Sequence, residues 1–298
     1  MKILICSDGT AESDNAIRMA ALFGPAARVP LTLLGIAETP ADEQPLRDAL
    51  DKQVAVLRDA SGAGPRLVVR SGEPITQILA ETSVNKYDLV IVSARRKQTE
   101  GYFWQSQRTY EIIKSIEPSV LVALGNCARL SRFLVCTGGK RYIDDAVRLT
   151  GTLAAAVGAQ VTLLHVMAEP PAIYADLVEM EEDVDALLAS GSELGRNLQA
   201  QKQALQKLGV NASIRIRHGI VTDEIFDEVN SGEYDVIVSG SSRARGPLRH
   251  YIMGDITRSI VNRAECSVLV SRSTRSVAAG DFWHTLREKL FPAVQQVR

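Results

Sequence analysis

Short, wholly apolar blocks recur along this chain and alternate with longer amphipathic segments. The blocks are four to six residues long and rich in Val, Ile and Leu. Because polar residues do not alternate with apolar ones inside them, each block is predicted to be a strand buried on both faces, as in a parallel sheet. Residues 14–23, 46–58 and 183–208 place apolar side chains at helical spacing instead. Gly209 then stands where a glycine commonly ends a helix. This alternation predicts an α/β fold with right-handed crossovers.

The apolar blocks occur twice in the same order. Five pairs match: 3–9 with 133–139, 31–34 with 161–164, 69–72 with 216–219, 87–92 with 234–239, and 117–122 with 265–270. The separation grows from 130 to 147 residues between the second and third pairs, which places an insertion of 17 residues there. We therefore predict two tandem, doubly wound domains, each built on five parallel strands.

The repeat also sets the expected domain limits. Domain 1 comprises residues 1–126, domain 2 residues 131–273, and a tail of residues 274–298 lies outside both copies. In the tail, Asp281 can cap a helix that carries Phe282, Leu286 and Leu290 on one face at a spacing of four. We expect this tail to dock onto the body of the protein or onto a partner.

Composition narrows the class of protein. Of 298 residues, 46% are apolar and 23% charged, which is typical of a soluble globular protein. The formal net charge of −1 gives no indication of a nucleic-acid or anionic-membrane partner. No segment reaches the roughly 18 apolar residues that a membrane span needs, and the N-terminus does not resemble a signal peptide. The four cysteines form neither a disulfide framework nor a metal-binding cluster, so we expect reduced thiols, a cytoplasmic location and no metal.

Four motifs together resemble the universal stress protein family. They are Asp8-Gly9-Thr10 after the first strand, the late strand 87–92, the glycine-bearing loop that follows the matching strand of domain 2, and the closing strand 119–122. The resemblance covers about residues 1–124 and 132–272 and implies the adenine nucleotide alpha hydrolase-like fold in each half. Members of this family commonly dimerise through the last strand. The resemblance therefore implies that 120–122 pairs with 268–270 about an internal pseudo-twofold axis.

Some universal stress proteins bind ATP and others do not. In the binders, an Asp after the first strand contacts the nucleotide, and a loop of the form G-x2-G-x9-G-(S/T) wraps the phosphates. Glycines let the backbone approach closely, and amides at a helix N-terminus stabilise anionic oxygens. The resemblance makes the following residues candidates for nucleotide binding: Asp8, Gly9, Thr10, Gly138, Gly139, Gly240, Ser241, Arg243, Arg245, Gly246, Gly254 and Asp255.

Each half departs from the ATP-binding pattern in a different place. Domain 1 retains Asp8, but bulky residues replace glycines in its loop at 93–101. Domain 2 retains more of the loop, but Gly138 replaces the Asp and Asp255 replaces the closing hydroxyl residue. A carboxylate there would repel phosphates unless a cation bridges the two. We therefore expect at most weak ATP binding, in domain 2, and assign no other cofactor.

Structural roles compete with binding roles at several candidates. Asp8 either contacts a ligand at the strand end or orders the turn into the next helix. The cluster of Arg243, Arg245, Arg249 and His250 either holds phosphate or forms a solvated loop or protein interface. Asp255 either joins a cation site or stabilises the N-terminus of its own helix.

The chain offers no catalytic constellation. We find no nucleophile–base pair, no carboxylates at a useful spacing and no zinc pattern, so no catalytic residue is assigned. The first hypothesis is a binding and regulatory protein in stress response that acts through unknown protein partners, with homodimerisation left open. The alternative is a nucleotide-hydrolysing or adenylate-transferring enzyme of the ATP pyrophosphatase group, whose Ser-Gly-Gly loop resembles residues 137–140.

Overall fold

A computed structural model describes the following residues of the chain: 1–11, 13–24, 31–62, 64–94, 107–125, 129–140, 143–167, 184–243, 251–252 and 255–273. Domain 1 contains β1 (Ile3–Ser7), α1 (Asp14–Phe23), β2 (Thr32–Ala37), α2 (Glu43–Ser61), β3 (Arg66–Ser71), α3 (Pro74–Val84), β4 (Leu89–Ser93), α4 (Gln107–Ser115) and β5 (Ser119–Ala123). Domain 2 contains β6 (Arg132–Cys136), α5 (Asp144–Val157), β7 (Gln160–Met167), α6 (Val184–Ala189), α7 (Glu193–Lys207), β8 (Ala212–His218), α8 (Val221–Gly232), β9 (Val236–Arg243), β10 (Tyr251–Ile252), α9 (Asp255–Arg263) and β11 (Ser267–Arg272).

The strands form one sheet in which each half repeats the same order. The order is β3-β2-β1-β4-β5-β11-β9-β6-β7-β8. Within each half all neighbours along this path are parallel. The prediction of five parallel strands per copy is therefore confirmed. The short strand β10, which pairs antiparallel with the end of β9, was not predicted.

The two halves meet through their last strands, as the resemblance implied. β5 and β11 pair antiparallel, with Leu121 opposite Leu269 at the centre of the register. At one end Leu124 N donates to Ser267 Oγ (3.1 Å), and at the other Arg272 N donates to Ser119 Oγ (3.1 Å). Ser119 and Ser267 occupy equivalent positions in the repeat. The junction is thus closed in the same way at both ends, as a pseudo-twofold axis requires.

Helices cover both faces of the sheet and enclose two cores. Side chains of α1, α2, α5 and α7 pack in one core, and those of α3, α4, α8 and α9 in the other. Each core runs across both halves. No helix within the described ranges is long and apolar enough to cross a membrane.

The helix expected over 183–208 is wrong in one respect, because the structure divides it into α6 and α7. Gly191 adopts a left-handed conformation (φ 65°) between them. Ser192 then caps α7, its Oγ accepting a hydrogen bond from Gly195 N at 3.0 Å. Gly209 is also left-handed (φ 78°), as predicted for the end of this segment. The predicted tail helix lies outside the described residues.

Candidate functional site

A cavity of about 260 Å³ opens at the carboxyl ends of β1, β2 and β4 in domain 1. In open α/β sheets ligands bind at this edge, where the strand order reverses. Its apolar lining includes Ile36, Ile78, Val92 and Ile112. Its polar lining comprises Ser7, Asp8, Ser13, Glu38, Ser93 and Thr109. Nothing cationic lines it among the described residues, so the described part of the cavity offers a phosphate no positive charge.

The motif Asp8-Gly9-Thr10 lies at the mouth of this cavity and forms a tight turn. Asp8 Oδ1 accepts hydrogen bonds from Thr10 N (3.0 Å) and from Thr10 Oγ1 (2.6 Å). Gly9 is left-handed (φ 74°), and a Cβ there would lie 2.9 Å from the Cβ of Ala49. The structure therefore brings these three candidates together, and one oxygen of the carboxylate already orders the turn into α1.

A buried network behind the turn was not found from the sequence. Ser7 Oγ donates to Gln53 Oε1 (2.6 Å), lies 2.7 Å from Ser13 Oγ, and accepts from Gly9 N (3.0 Å). Gln53 Nε2 continues to Asp14 Oδ1 at 2.8 Å. The repeat carried a signal, because Thr137 and Gln201 stand at the matching positions of domain 2 and also bond each other (3.2 Å).

Ser93 occupies the position of the first glycine in the expected phosphate loop of domain 1. Its Oγ accepts from Ala16 N (3.0 Å) and donates to Ser13 O (3.3 Å), so it satisfies the N-terminus of α1. In domain 2 the matching pair is Gly240 and Ile143, and a Cβ on Gly240 would lie 2.7 Å from Ile143 Cδ1. Packing against Ile143 therefore explains why position 240 is a glycine, independently of any ligand.

The first turn of domain 2 is covered by α7. Gly138 is exposed and carries no side chain where domain 1 has Asp8. Gly139 is left-handed (φ 70°), and a Cβ there would collide with Leu194 of α7. Gly139 O also accepts from Asn197 Nδ2 at 2.9 Å. The two candidate glycines thus lie together, but contacts with α7 explain the need for glycine at 139.

His165 contacts the same turn through its imidazole ring. Its Nδ1 lies 2.9 Å from Thr137 O. Burial lowers the pKa of His165, although the hydrogen bond with Thr137 opposes this shift. The ring is therefore neutral near pH 7 and donates its Nδ1–H to the carbonyl. This contact fits a packed, hydrogen-bonded histidine rather than a catalyst.

The start of the expected phosphate loop of domain 2 is a β-hairpin rather than an open glycine turn. Ser242 and the backbone of Arg243 pair with β10. Ser241 is buried, and its Oγ donates to Ser271 O (3.2 Å) and accepts from Arg272 Nη1 (2.6 Å). Its hydroxyl is thus engaged with β11. The remaining loop candidates lie outside the described residues: Arg245, Gly246, Gly254 and the side chain of Arg243, together with Arg249, His250 and residues 95–106 of domain 1.

Arg272 links this hairpin to domain 1. The residue is 7% exposed, and its Nη2 donates to the carbonyls of Ile113 and Ile116 (3.4 Å to Ile116) at the end of α4. A cation is favoured at a helix C-terminus, where carbonyls lack helical partners. Sequence reasoning missed Arg272 because its counterpart in the repeat is Leu124.

Asp255 is the first residue of α9 and is exposed. A carboxylate in the first turn stabilises the helix dipole, which is the structural role considered for it. The structure does not bring Asp255 into hydrogen-bonding contact with any other described candidate.

Two charged clusters support the strands behind the sites. In domain 1, Glu81 is fully buried and bonds Arg70 (2.7 Å) and Tyr87 (2.8 Å). Domain 2 repeats the arrangement, since Glu228 bonds Arg217 (2.7 Å) and Tyr234 (2.7 Å). Burial raises the pKa of Glu81, but hydrogen bonds from Arg70 and Tyr87 outweigh it and hold that pKa below its usual value.

Cys6 also lines the cavity of domain 1. Burial, with a smaller effect of Glu81, raises the pKa of its thiol to about 12. The thiol is therefore protonated at neutral pH and is a poor nucleophile. Within the described ranges, no group of three or more His, Cys, Asp or Glu side chains could hold a metal ion.

Comparisons with known proteins agree with this architecture. No curated protein sequence matches the chain. A universal stress protein from Archaeoglobus fulgidus DSM 4304 superposes with a TM-score of 0.67 at 14% identity, covering 91% of this chain and 98% of its own. A functionally unknown protein from Pseudomonas aeruginosa PAO1 superposes with a TM-score of 0.63 at 16% identity, covering 98% and 97%. At these identities the matches show the fold, and they span both halves.

The sequence itself matches the model of the universal stress protein family twice. The matched residues are 1–123 and 130–272, which together make up most of the chain. The two matches coincide with the two halves of the sheet that meet at β5 and β11. This chain therefore belongs to the universal stress protein family, with two family domains in tandem.

Proposed function

We propose that this protein is a binding and regulatory protein of the stress response, not an enzyme, and that it acts in the cytoplasm through partner surfaces. One observation carries the proposal: described polar groups at the nucleotide-binding positions bond within the protein itself. Asp8 bonds Thr10, Ser93 bonds Ala16, and the Ser241 hydroxyl bonds Arg272. A nucleotide would have to displace the contacts of Ser93 and Ser241 and to share the Asp8 carboxylate with Thr10, and each such contact contributes about 1 kcal/mol net.

Nucleotide binding is accordingly at most weak and confined to domain 2. Domain 2 lacks a carboxylate at Gly138, and Asp255 stands where ATP binders carry a hydroxyl. Domain 1 has the carboxylate but has Ser93 in place of the first loop glycine. Each half thus lacks a different part of the nucleotide-binding pattern. This favours a role in protein binding over a role in nucleotide chemistry.

Calorimetric titration with Mg·ATP, paired with an assay for nucleotide turnover, tests the proposal. We expect no turnover and at most weak binding by the native chain. Asp255→Ser removes the charge that opposes phosphate and should tighten ATP binding about tenfold, equivalent to about 1.4 kcal/mol. Asp227→Ser, which removes an exposed charge on α8, is the matched control and should change nothing.

Turnover would instead support the enzyme alternative. Steady ATP hydrolysis or adenylate transfer that Asp255→Ala abolishes, while Asp227→Ala preserves it, would refute the regulatory proposal. Tight binding by the native chain that Asp8→Asn abolishes would refute the claim that domain 1 does not bind nucleotide.

A further inference from the structure

A groove of about 570 Å³ runs along the line where α5 and α7 pack together on one face of domain 2. Val147 lies in its floor, and Ala200, Ala204 and Leu208 form the wall on α7. These three wall residues are exposed, Leu208 by 41%, and their spacing of four places them on one side of the helix. Arg148 and Lys207 are charged residues at its edge. The groove thus offers an apolar strip with a charged rim, which suits an amphipathic helix.

In domain 1 a hydrogen bond joins the matching pair of helices, α1 and α2. Gln53 on α2 donates to Asp14 on α1 at 2.8 Å and so bridges the two helices. In domain 2 the equivalent Gln201 bonds Thr137 and Lys140 of the first turn instead. With Gln53 matched to Gln201, a spacing of 148 residues, Lys52 and Val56 of α2 correspond to Ala200 and Ala204 of α7. The α7 wall of the groove therefore carries shorter side chains than the matching positions of α2.

Only domain 2 is followed by a further amphipathic segment. Residues 124–131 alone connect β5 to β6, whereas residues 274–298 follow β11. The sequence of this tail predicts a helix beginning at Asp281 with Phe282, Leu286 and Leu290 on one face. The half with the open groove is thus the half that carries a segment able to fill it.

The tail can reach the groove from the end of β11. β11 ends at the same edge of the sheet at which α5 begins, and α5 contacts β6, β9 and β11. From β11 to β7, which α7 contacts, is three strand spacings, or about 14 Å. Residues 274–280 span up to about 23 Å when extended. A helix over residues 281–291 would be about 16 Å long, shorter than the roughly 22 Å of α7.

We propose that residues 281–291 dock as a helix in the α5–α7 groove of their own chain. Phe282, Leu286 and Leu290 pack against the strip formed by Ala200, Ala204 and Leu208.

Trp283 reports on the docking directly. Trp104→Phe leaves it as the single tryptophan of the full-length chain. In this background we expect emission at short wavelength that acrylamide quenches poorly, at all protein concentrations. Ala204→Arg places a charge in the groove and should shift the emission to longer wavelength and raise quenching severalfold. Val56→Arg, the matched change at an exposed position of α2, should leave both unchanged.

Three results would overturn the proposal: solvent-like emission from Trp283 in the parent, emission that Ala204→Arg does not alter, or a dependence on protein concentration, which would assign the groove to a second copy. Should Ala204→Arg fail to fold, Leu286→Asp changes only the tail. It should speed amide exchange in α5 and α7 but not in α1 and α2, whereas the off-stripe Thr285→Asp should not. Unchanged exchange in Leu286→Asp would also refute docking.

Discussion

At the scale of single residues, hydrogen bonds within the protein engage polar groups at the expected ligand-binding positions. Asp8 was considered both as a ligand-binding and as a turn-ordering residue, and its bonds to Thr10 show the second role. Sequence alone could present both options because each depends on local geometry. It could not reveal the bond between Ser241 and Arg272, since those residues lie 31 positions apart and meet only when β9 and β11 pair.

Glu81 offers a test at this scale. Glu81→Gln keeps the size of the side chain but removes the charge that Arg70 neutralises and to which Tyr87 donates a hydrogen bond. We expect the free energy of unfolding at pH 7 to fall by about 2 kcal/mol, because hydrogen bonds to charged groups contribute that much. Urea denaturation of the variant and of the exposed control Asp227→Asn would measure it.

The pH dependence of Glu81→Gln provides the second readout. Because the folded pKa of Glu81 is depressed, its contribution is present above the pKa of the unfolded chain and is lost as pH falls through the folded pKa. The difference between native chain and variant should therefore narrow in acid. Equal stability of the two proteins at pH 7, or a gap that widens in acid, would contradict the assignment.

At the scale of secondary-structure elements, apolar periodicity predicted the ten principal strands and missed two details. The break between α6 and α7 was not predicted because the leucine pattern continues across Gly191 with nearly helical spacing. The strand β10 was not predicted because Tyr251 and Ile252 fall within the segment that the family motif reads as a phosphate loop. A hydrophobic pattern does not reveal the backbone conformation of a single glycine, nor the pairing of a strand of only two residues.

Helix α4 depends on an arginine from the other half of the molecule. Arg272→Met keeps much of the aliphatic volume but leaves the carbonyls of Ile113 and Ile116 without the guanidinium. We expect a loss of about 2 kcal/mol in unfolding free energy, with faster amide exchange in the last turn of α4. Exchange measured by mass spectrometry, with the half-exposed Arg263→Met as control, would test this. Unaltered exchange in α4 would show that the contact does not hold the helix.

At the scale of the whole molecule, the two domains are arranged like the two subunits of a dimer but belong to one chain. The repeat spacing predicted two domains, and the family resemblance predicted which strands would pair. The cross-domain bonds of Arg272 had no sequence signal, because they arise at a position where the two copies differ. The two domains can therefore keep the same fold while their candidate sites differ, because the β5–β11 junction holds the domains together as their sequences diverge.

Our account rests most directly on the β5–β11 junction, and amide hydrogen exchange in the native full-length chain measures it. If the junction forms as described, peptides covering β5 and β11 should exchange as slowly as those of the central strands β1 and β6. Peptides of β3 and β8, which end the sheet, should exchange faster and serve as the internal reference. Exchange in β5 and β11 as fast as in β3 and β8 would contradict the single sheet and the account built on it.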